Sequence, residues 1–140
     1  MLQAFKNLLG DKAKRFSGRT DFLEATCAAC ALVAAADGDL GDDELVAAVA
    51  AVKANAAIAG AFDARAIETT MDKMCGRAVG RVGKAGLLKE ISEIKSDTEM
   101  AETVLLAALD VADKGGIGPE ERQVLAKIAG ELGLDLNKYL

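Results

Sequence analysis

Five acidic residues fall within eight consecutive positions of the chain. They are Asp37, Asp39, Asp42, Asp43 and Glu44. Carboxylates crowded in this way repel one another unless water or a cation neutralises them, and hard divalent cations bind to oxygen ligands on turns. The segment therefore predicts a cation site, for Ca²⁺, Mg²⁺, Mn²⁺ or Zn²⁺. An EF-hand is excluded, because a calcium loop starting at Asp37 needs glycine at its sixth position and glutamate at its twelfth, where this chain has Asp42 and Ala48.

The same turn returns seventy-seven positions later in a weaker form, as residues 114–121. Glu121 matches Glu44, but Lys114 stands where the first copy has Asp37. A second half with a lysine at this position weakens any symmetric, two-lobed site. The repeat therefore predicts one asymmetric cation site centred on the first copy. The predicted ligands are Asp37, Asp39 and Glu44, with Asp42, Asp43 and Glu121 as supporting candidates.

Each acidic turn is also expected to begin a helix. Proline favours the first helical position, so Pro119 makes Gly118 the predicted N-cap, and the repeat gives Gly41 the same role. Acids in a first helical turn stabilise the positive end of the helix dipole. This structural interpretation is an alternative to cation binding for the acids that follow each glycine. It does not account for Asp37 and Asp39, which precede the cap.

Helices must position these turns, because apolar residues recur at helical spacing and no segment alternates as a strand does. Aromatic residues make up only 4% of the chain, which favours close helix packing over a sheet. We predict an all-α fold, a single compact domain of about seven helices built from two similar helix–turn–helix halves. Its expected parts are a basic amphipathic N-terminal helix over residues 1–19, a first half over 20–62 and a second half over 63–140.

Several boundaries can be predicted within those parts. The helix before the first turn is nearly all small or apolar, so it is expected to be buried on most sides. Residues 55–62 are expected to form a loose connection. A helix over 63–79 and a shorter one over 84–94 should follow. The capping-box pattern at residues 96–99 is expected to open the next helix.

The thiols suggest a second kind of chemistry. Cys27 and Cys30 share one face of the predicted apolar helix, and Cys75 is the third cysteine. Three cysteines without any histidine do not complete a zinc site, and free cysteine commonly packs as a small buried hydrophobe. Core packing is the preferred interpretation, and thiol-based redox chemistry remains the alternative.

Composition excludes several functions. The net charge is -5, and the acidic body of the chain argues against nucleic-acid binding. Without histidine, a phosphate-binding loop or a nucleophile elbow, the sequence predicts neither catalysis nor a small-molecule substrate. No apolar run approaches the length of a membrane span, and the start does not resemble a signal peptide, so we expect a cytoplasmic protein.

One basic stripe stands out against the acidic body. Lys73, Arg77, Arg81 and Lys84 recur at intervals of three and four. Most such stripes are solvated helix faces. The alternative is a surface that holds an anionic partner or the acidic patch of a neighbouring molecule.

The chain resembles the tellurite-resistance TerB family over nearly its whole length. Two Asp-Gly-type turns in phase, within a helical chain of this size, are the basis of the resemblance. The matching segments are residues 30–38 with Glu44, Phe62-Asp63, the second turn with its Gly-x-Ile-x-x-x-Glu pattern, and residues 132–135.

The resemblance implies a non-catalytic, metal-responsive binding or adaptor module in tellurite and chemical-stress resistance. It also implies other Ter-system proteins as partners, among them a membrane-embedded one, and hence a peripheral place at the inner face of the membrane. Asp37, Asp39 and Glu44 fall on acidic positions of the family. Two other functions remain open: a purely structural protein–protein interaction domain without metal, and tellurite reduction by exposed thiols.

Overall fold

The computed structural model describes residues 2–38, 40–113 and 116–140, without the side chains of residues 2 and 5–10. These residues form eight α-helices and one 3₁₀ turn, and no strand, which confirms the all-α prediction. The α-helices are α1 (Leu2–Phe16), α2 (Thr20–Ala34), α3 (Asp42–Ala54), α4 (Ala56–Ala61), α5 (Ala64–Arg77), α6 (Gly80–Ser92), α7 (Thr98–Ala112) and α8 (Pro119–Leu132), and the 3₁₀ turn is Leu136–Lys138.

Helix α2 lies at the centre of the fold. Its residues are mostly alanine, cysteine, leucine and valine, and all but four of them are buried. Small side chains allow neighbouring helices to approach closely, and α3, α5, α6, α7 and α8 all pack against α2. The buried hydroxyl of Thr26 donates to the carbonyl of Phe22 at 2.9 Å, so this polar group is satisfied within the helix. The predicted central helix is therefore confirmed.

The N-terminal helix α1 packs against α4. The fit is close, because a Cβ atom on Gly60 would lie 2.7 Å from the Cβ of Ala13. At the end of α1, Arg15 donates to the carboxylates of Asp97 and Glu99 at the start of α7. The next residue, Phe16, is fully buried. The described end of α1 is thus packed on the fold.

The connection predicted over residues 55–62 is wrong, because Ala56–Ala61 forms helix α4. Asn55 is the N-cap, and its side-chain oxygen accepts hydrogen bonds from Ala57 N at 3.1 Å and Ile58 N at 3.3 Å. A capping asparagine followed by alanines was a signal available in the sequence. Burial of Ile58 fixes this short helix to the core.

The junction between α5 and α6 also differs from the prediction. Helix α5 ends at Arg77, and α6 begins at Gly80 rather than near residue 84. The cap of α7 is Asp97, whose side chain accepts from Met100 N at 3.1 Å, so the capping box predicted to begin at Ser96 is wrong by one residue. Across the described residues, no helix combines the length and the apolar character needed to cross a bilayer.

Candidate functional site

The two acidic turns end in helices with the same kind of cap. Gly41 is the N-cap of α3 and Gly118 is the N-cap of α8, both with extended backbone, as the sequence predicts. Glu121 Oε1 accepts a hydrogen bond from Gly118 N at 3.0 Å. Glu44 Oε2 lies 2.7 Å from the position that a Cβ atom on Gly41 would occupy. In both turns the glutamate therefore folds back over its glycine.

The turns differ in length by one residue. A glycine with φ of +89° lies in each of them, at Gly38 and at Gly116. These positions are seventy-eight apart, whereas the caps Gly41 and Gly118 are seventy-seven apart. Helix α7 extends one residue further than α2 in the register of the repeat, and the second turn is shorter by that residue.

A cavity of about 280 Å³ lies between the two turns. Its apolar lining comes from α2, α3 and α7. Its acidic lining comes from the first turn and from the start of α8. We call it the acidic pocket, and it is lined by Val33, Ala34, Asp37, Glu44, Ala47, Ala48, Val111, Gly116, Glu120 and Glu121.

The pocket brings together three of the predicted ligands, Asp37, Glu44 and Glu121. It adds Glu120, which the predicted ligand set lacks. In the register of the repeat Glu120 corresponds to Asp43, so its place in the lining depends on how the two halves pack against each other. Burial of Ala48 and Ala112 beside the turns shows how closely the halves approach.

The other predicted ligands are placed differently. Asp42 and Asp43 are exposed in the first turn of α3 and lie outside the lining described above. Asp39 lies outside the described residues, as does Lys114. The asymmetry expected from these two residues therefore stays a prediction.

The acids of the pocket surround an open space and do not form a closed shell. Within the described part of the chain, no three side chains of aspartate, glutamate, cysteine or histidine come close enough to hold a metal ion. Asp37, Glu44 and Glu120 are exposed, and Glu121 is half-buried. Their donors are carboxylate oxygens only, which suit Ca²⁺, Mg²⁺ or Mn²⁺ better than Zn²⁺. Their chemistry suits a hard, hydrated cation, while their spacing in the described structure does not form a coordination shell.

The three cysteines lie in the core, away from the pocket lining. Cys27 and Cys30 are fully buried, and Cys75 is nearly so. Burial raises the pKa of Cys27 to about 12 and that of Cys75 to about 11, and it raises the pKa of Cys30 well above the usual value. The thiolate is the reactive form, so at neutral pH these cysteines are protonated packing residues.

These features define an all-α protein of two helix–turn–helix halves whose glycine-capped turns share an acidic pocket. The family model described as tellurite resistance protein TerB matches residues 23–139. The chain therefore belongs to the TerB family, and its expected setting is tellurite resistance. The match begins inside α2, so α1 precedes it. No match was found among curated proteins or among solved structures.

Proposed function

We propose that this chain is a non-catalytic, metal-responsive binding module that takes up a divalent cation at the acidic pocket. The observation that supports the proposal is the meeting of Asp37 and Glu44 from one half with Glu120 and Glu121 from the other. Four carboxylates around one cavity repel one another, and a cation at the centre reverses the sign of that interaction. Binding would therefore draw the two turns together.

The proposed ion is hard and keeps part of its water shell. Calcium takes six to eight oxygen ligands, more than four carboxylates acting singly provide, so water or backbone carbonyls complete the set. One oxygen of Glu121 already accepts the Gly118 N–H at 3.0 Å. A ligand that binds only the folded chain also stabilises it, and ion binding would therefore raise the melting temperature.

Calorimetric titration tests the site. Calcium, magnesium, manganese and zinc are titrated separately into the wild type and into Asp37→Asn/Glu44→Gln. We expect the wild type to bind at least one of the hard ions, and the double variant to bind it about tenfold more weakly or not at all, because two charged ligands are lost. The matched control is Asp42→Asn/Asp43→Asn, which removes the same charge from the same turn outside the pocket lining.

Two results would contradict the proposal. If no ion releases or absorbs heat with the wild type, and none changes its melting temperature, the metal-binding function fails. If the control variant loses as much affinity as Asp37→Asn/Glu44→Gln, the ion binds at the outer face of α3 and not in the pocket.

The proposed role is that of an adaptor for other Ter-system proteins, including a membrane-embedded partner that would hold the chain at the inner face of the membrane. The principal alternative is a metal-free interaction domain. Capture of a Ter partner from a cell extract separates the two. Capture by the wild type but not by Asp37→Asn/Glu44→Gln supports metal-dependent docking, whereas equal capture by both favours the alternative.

Thiol-based reduction of tellurite is the weaker alternative, because Cys27 and Cys30 are fully buried. Alkylation of the native protein tests it directly. Labelling of these thiols only after denaturation would exclude the reductant function, and rapid labelling of the folded chain would revive it.

A further inference from the structure

The turn between α5 and α6 has the opposite charge from the rest of the molecule. Between residues 73 and 89 the chain has five cations and no acid, whereas the remaining residues hold all 22 acids. We call residues 77–84 the basic corner. The acidic pocket is formed by other elements, namely the turns between α2 and α3 and between α7 and α8.

Two of these five cations are paired with acids within the fold. Lys73 Nζ lies 3.0 Å from Glu24 Oε2, and Arg77 Nη1 lies 3.2 Å from Glu90 Oε1. Arg81 and Lys84 form no ion pair with any acid of the described chain. Their charge at the corner is therefore available to a partner.

The corner also exposes its apolar side chains. Val79 is 75% exposed and Val82 is 89% exposed, the two highest values among the large hydrophobic side chains given for the described residues. Single exposed hydrophobic residues are ordinary, but two of them three residues apart, next to unpaired cations, form a mixed patch. Such a patch suits a partner that offers apolar contact and negative charge together.

The helices on either side of the corner are closely packed. A Cβ atom on Gly83 would lie 2.1 Å from the carbonyl oxygen of Arg77, so only glycine permits the end of α5 to approach α6 this closely. The Arg77 guanidinium also lies against Gly86, where a Cβ atom would be 3.0 Å from its Nη2. A preorganised surface loses little conformational entropy when it binds.

The acidic pocket of the same protein has the complementary properties. Its apolar floor comprises valines and alanines, and its rim comprises four carboxylates. An exposed valine flanked by cations would place an apolar group on the floor and positive charges at the rim. We propose that the basic corner of one copy docks into the acidic pocket of a second copy.

The two surfaces occupy different parts of the molecule, so the contact is head-to-tail and not self-complementary. In a pair joined in this way, one copy keeps an unused pocket and the other keeps an unused corner. Further copies can therefore add at either end. Rim ion pairs are individually weak and are screened by salt. We therefore expect weak association that strengthens with protein concentration and dissociates at high ionic strength. The proposal does not depend on the metal site, because the corner supplies the cations.

Sedimentation velocity in the presence of a chelator tests the contact without any divalent ion. Three proteins are compared: the wild type, a corner variant Arg81→Glu/Lys84→Glu, and a pocket variant Glu44→Lys/Glu120→Lys. Lys127→Glu/Lys138→Glu is the matched control, since both lysines are exposed and lie outside the corner. Circular dichroism checks each fold, and Glu44→Gln/Glu120→Gln replaces the pocket variant if that variant unfolds.

We expect the wild type and the control to associate as concentration rises towards about 1 mM. Each of the other two variants alone should remain monomeric. Their equimolar mixture should associate again, because the corner variant supplies an intact pocket and the pocket variant an intact corner, and the two charge-reversed surfaces are also opposite in sign.

A monomeric wild type at the highest concentration would overturn the proposal, as would a monomeric mixture of the two variants beside an associating wild type. A parallel flotation assay uses vesicles of phosphatidylcholine and phosphatidylglycerol. If the wild type is monomeric but binds these vesicles, and the corner variant does not, the corner belongs to an anionic membrane surface and the self-association proposal is also overturned.

Discussion

The two acidic turns share several backbone features in the described residues but differ in chemistry. Both contain a glycine at φ +89°, both end in a glycine N-cap, and in both a glutamate folds back over that cap. The first turn has the denser cluster of acids. The second has a proline at its helix start and is shorter by one residue.

The comparison separates two roles that overlap in the sequence. Both turns have glycines, which serve the change of chain direction. Both also have a glutamate at the third helical position, which serves the start of the next helix. What they do not share is the pair of acids that precede the cap in the first copy. Asp37 lines the pocket, so the function proposed for it requires the opposite half of the molecule.

The largest expected effect concerns the shared backbone. Gly38→Ala and Gly116→Ala should each destabilise the fold by about 1–2 kcal/mol, because an L side chain is strained at positive φ. Neither position has an atom within 4 Å of an added Cβ, so the loss would come from the backbone and not from a clash. Urea unfolding measures both variants.

The matched control is Gly130→Ala, within α8, where an added Cβ also meets no atom within 4 Å. Alanine in a helix is favoured over glycine, so this variant should be as stable as the wild type or more stable by up to about 1 kcal/mol. A loss at Gly38 but none at Gly116 would mean that the two turns do not share one backbone requirement.

The sequence predicted the elements whose signals are local. The glycine caps at 41 and 118 follow from Pro119 and from the repeat, and the buried character of α2 follows from its composition. The start of α6 could not be predicted in this way. Three glycines lower its helix propensity, and the packing that requires Gly83 against the Arg77 carbonyl becomes visible only in three dimensions.

The candidate site was predictable to a similar extent. The repeat selected Asp37, Glu44 and Glu121, which do line one cavity. It did not select Glu120, because a periodic pattern fixes the position of a residue along a helix but not the distance between two halves. Asp42 and Asp43 lie outside the lining, although Glu120, the counterpart of Asp43 in the repeat, lies within it. The register of the repeat therefore does not determine which acids of a first helical turn face the cavity.

A smaller effect is expected at the glutamates over the caps. Glu121→Ala should cost about 1 kcal/mol, because it leaves the Gly118 N–H without the hydrogen bond at 3.0 Å. Glu44→Ala should cost less, since the Glu44 side chain forms no hydrogen bond with the described residues. Thermal unfolding in a chelator measures both. Equal losses would show that the first cap depends on its glutamate as much as the second does.

The smallest effect concerns an acid that has no counterpart in the first half. Asp110, in the last turn of α7, occupies the register position of Val33. Burial and the nearby charge of Asp113 raise the pKa of the Asp110 carboxyl. A raised folded-state pKa means that stability is fully present below the unfolded value, near pH 4, and decreases as pH rises through the folded value.

At neutral pH the charged Asp110 therefore destabilises the fold, and its position near the negative end of the helix dipole acts in the same direction. Asp110→Asn should raise the melting temperature at pH 7, by an amount equivalent to about 0.3 kcal/mol in the free energy of unfolding. The gain should shrink towards zero as the pH falls below 4, where the wild-type carboxyl is protonated. A gain that is the same at pH 3 and pH 7 would trace the effect to the amide itself and not to the charge at the end of α7.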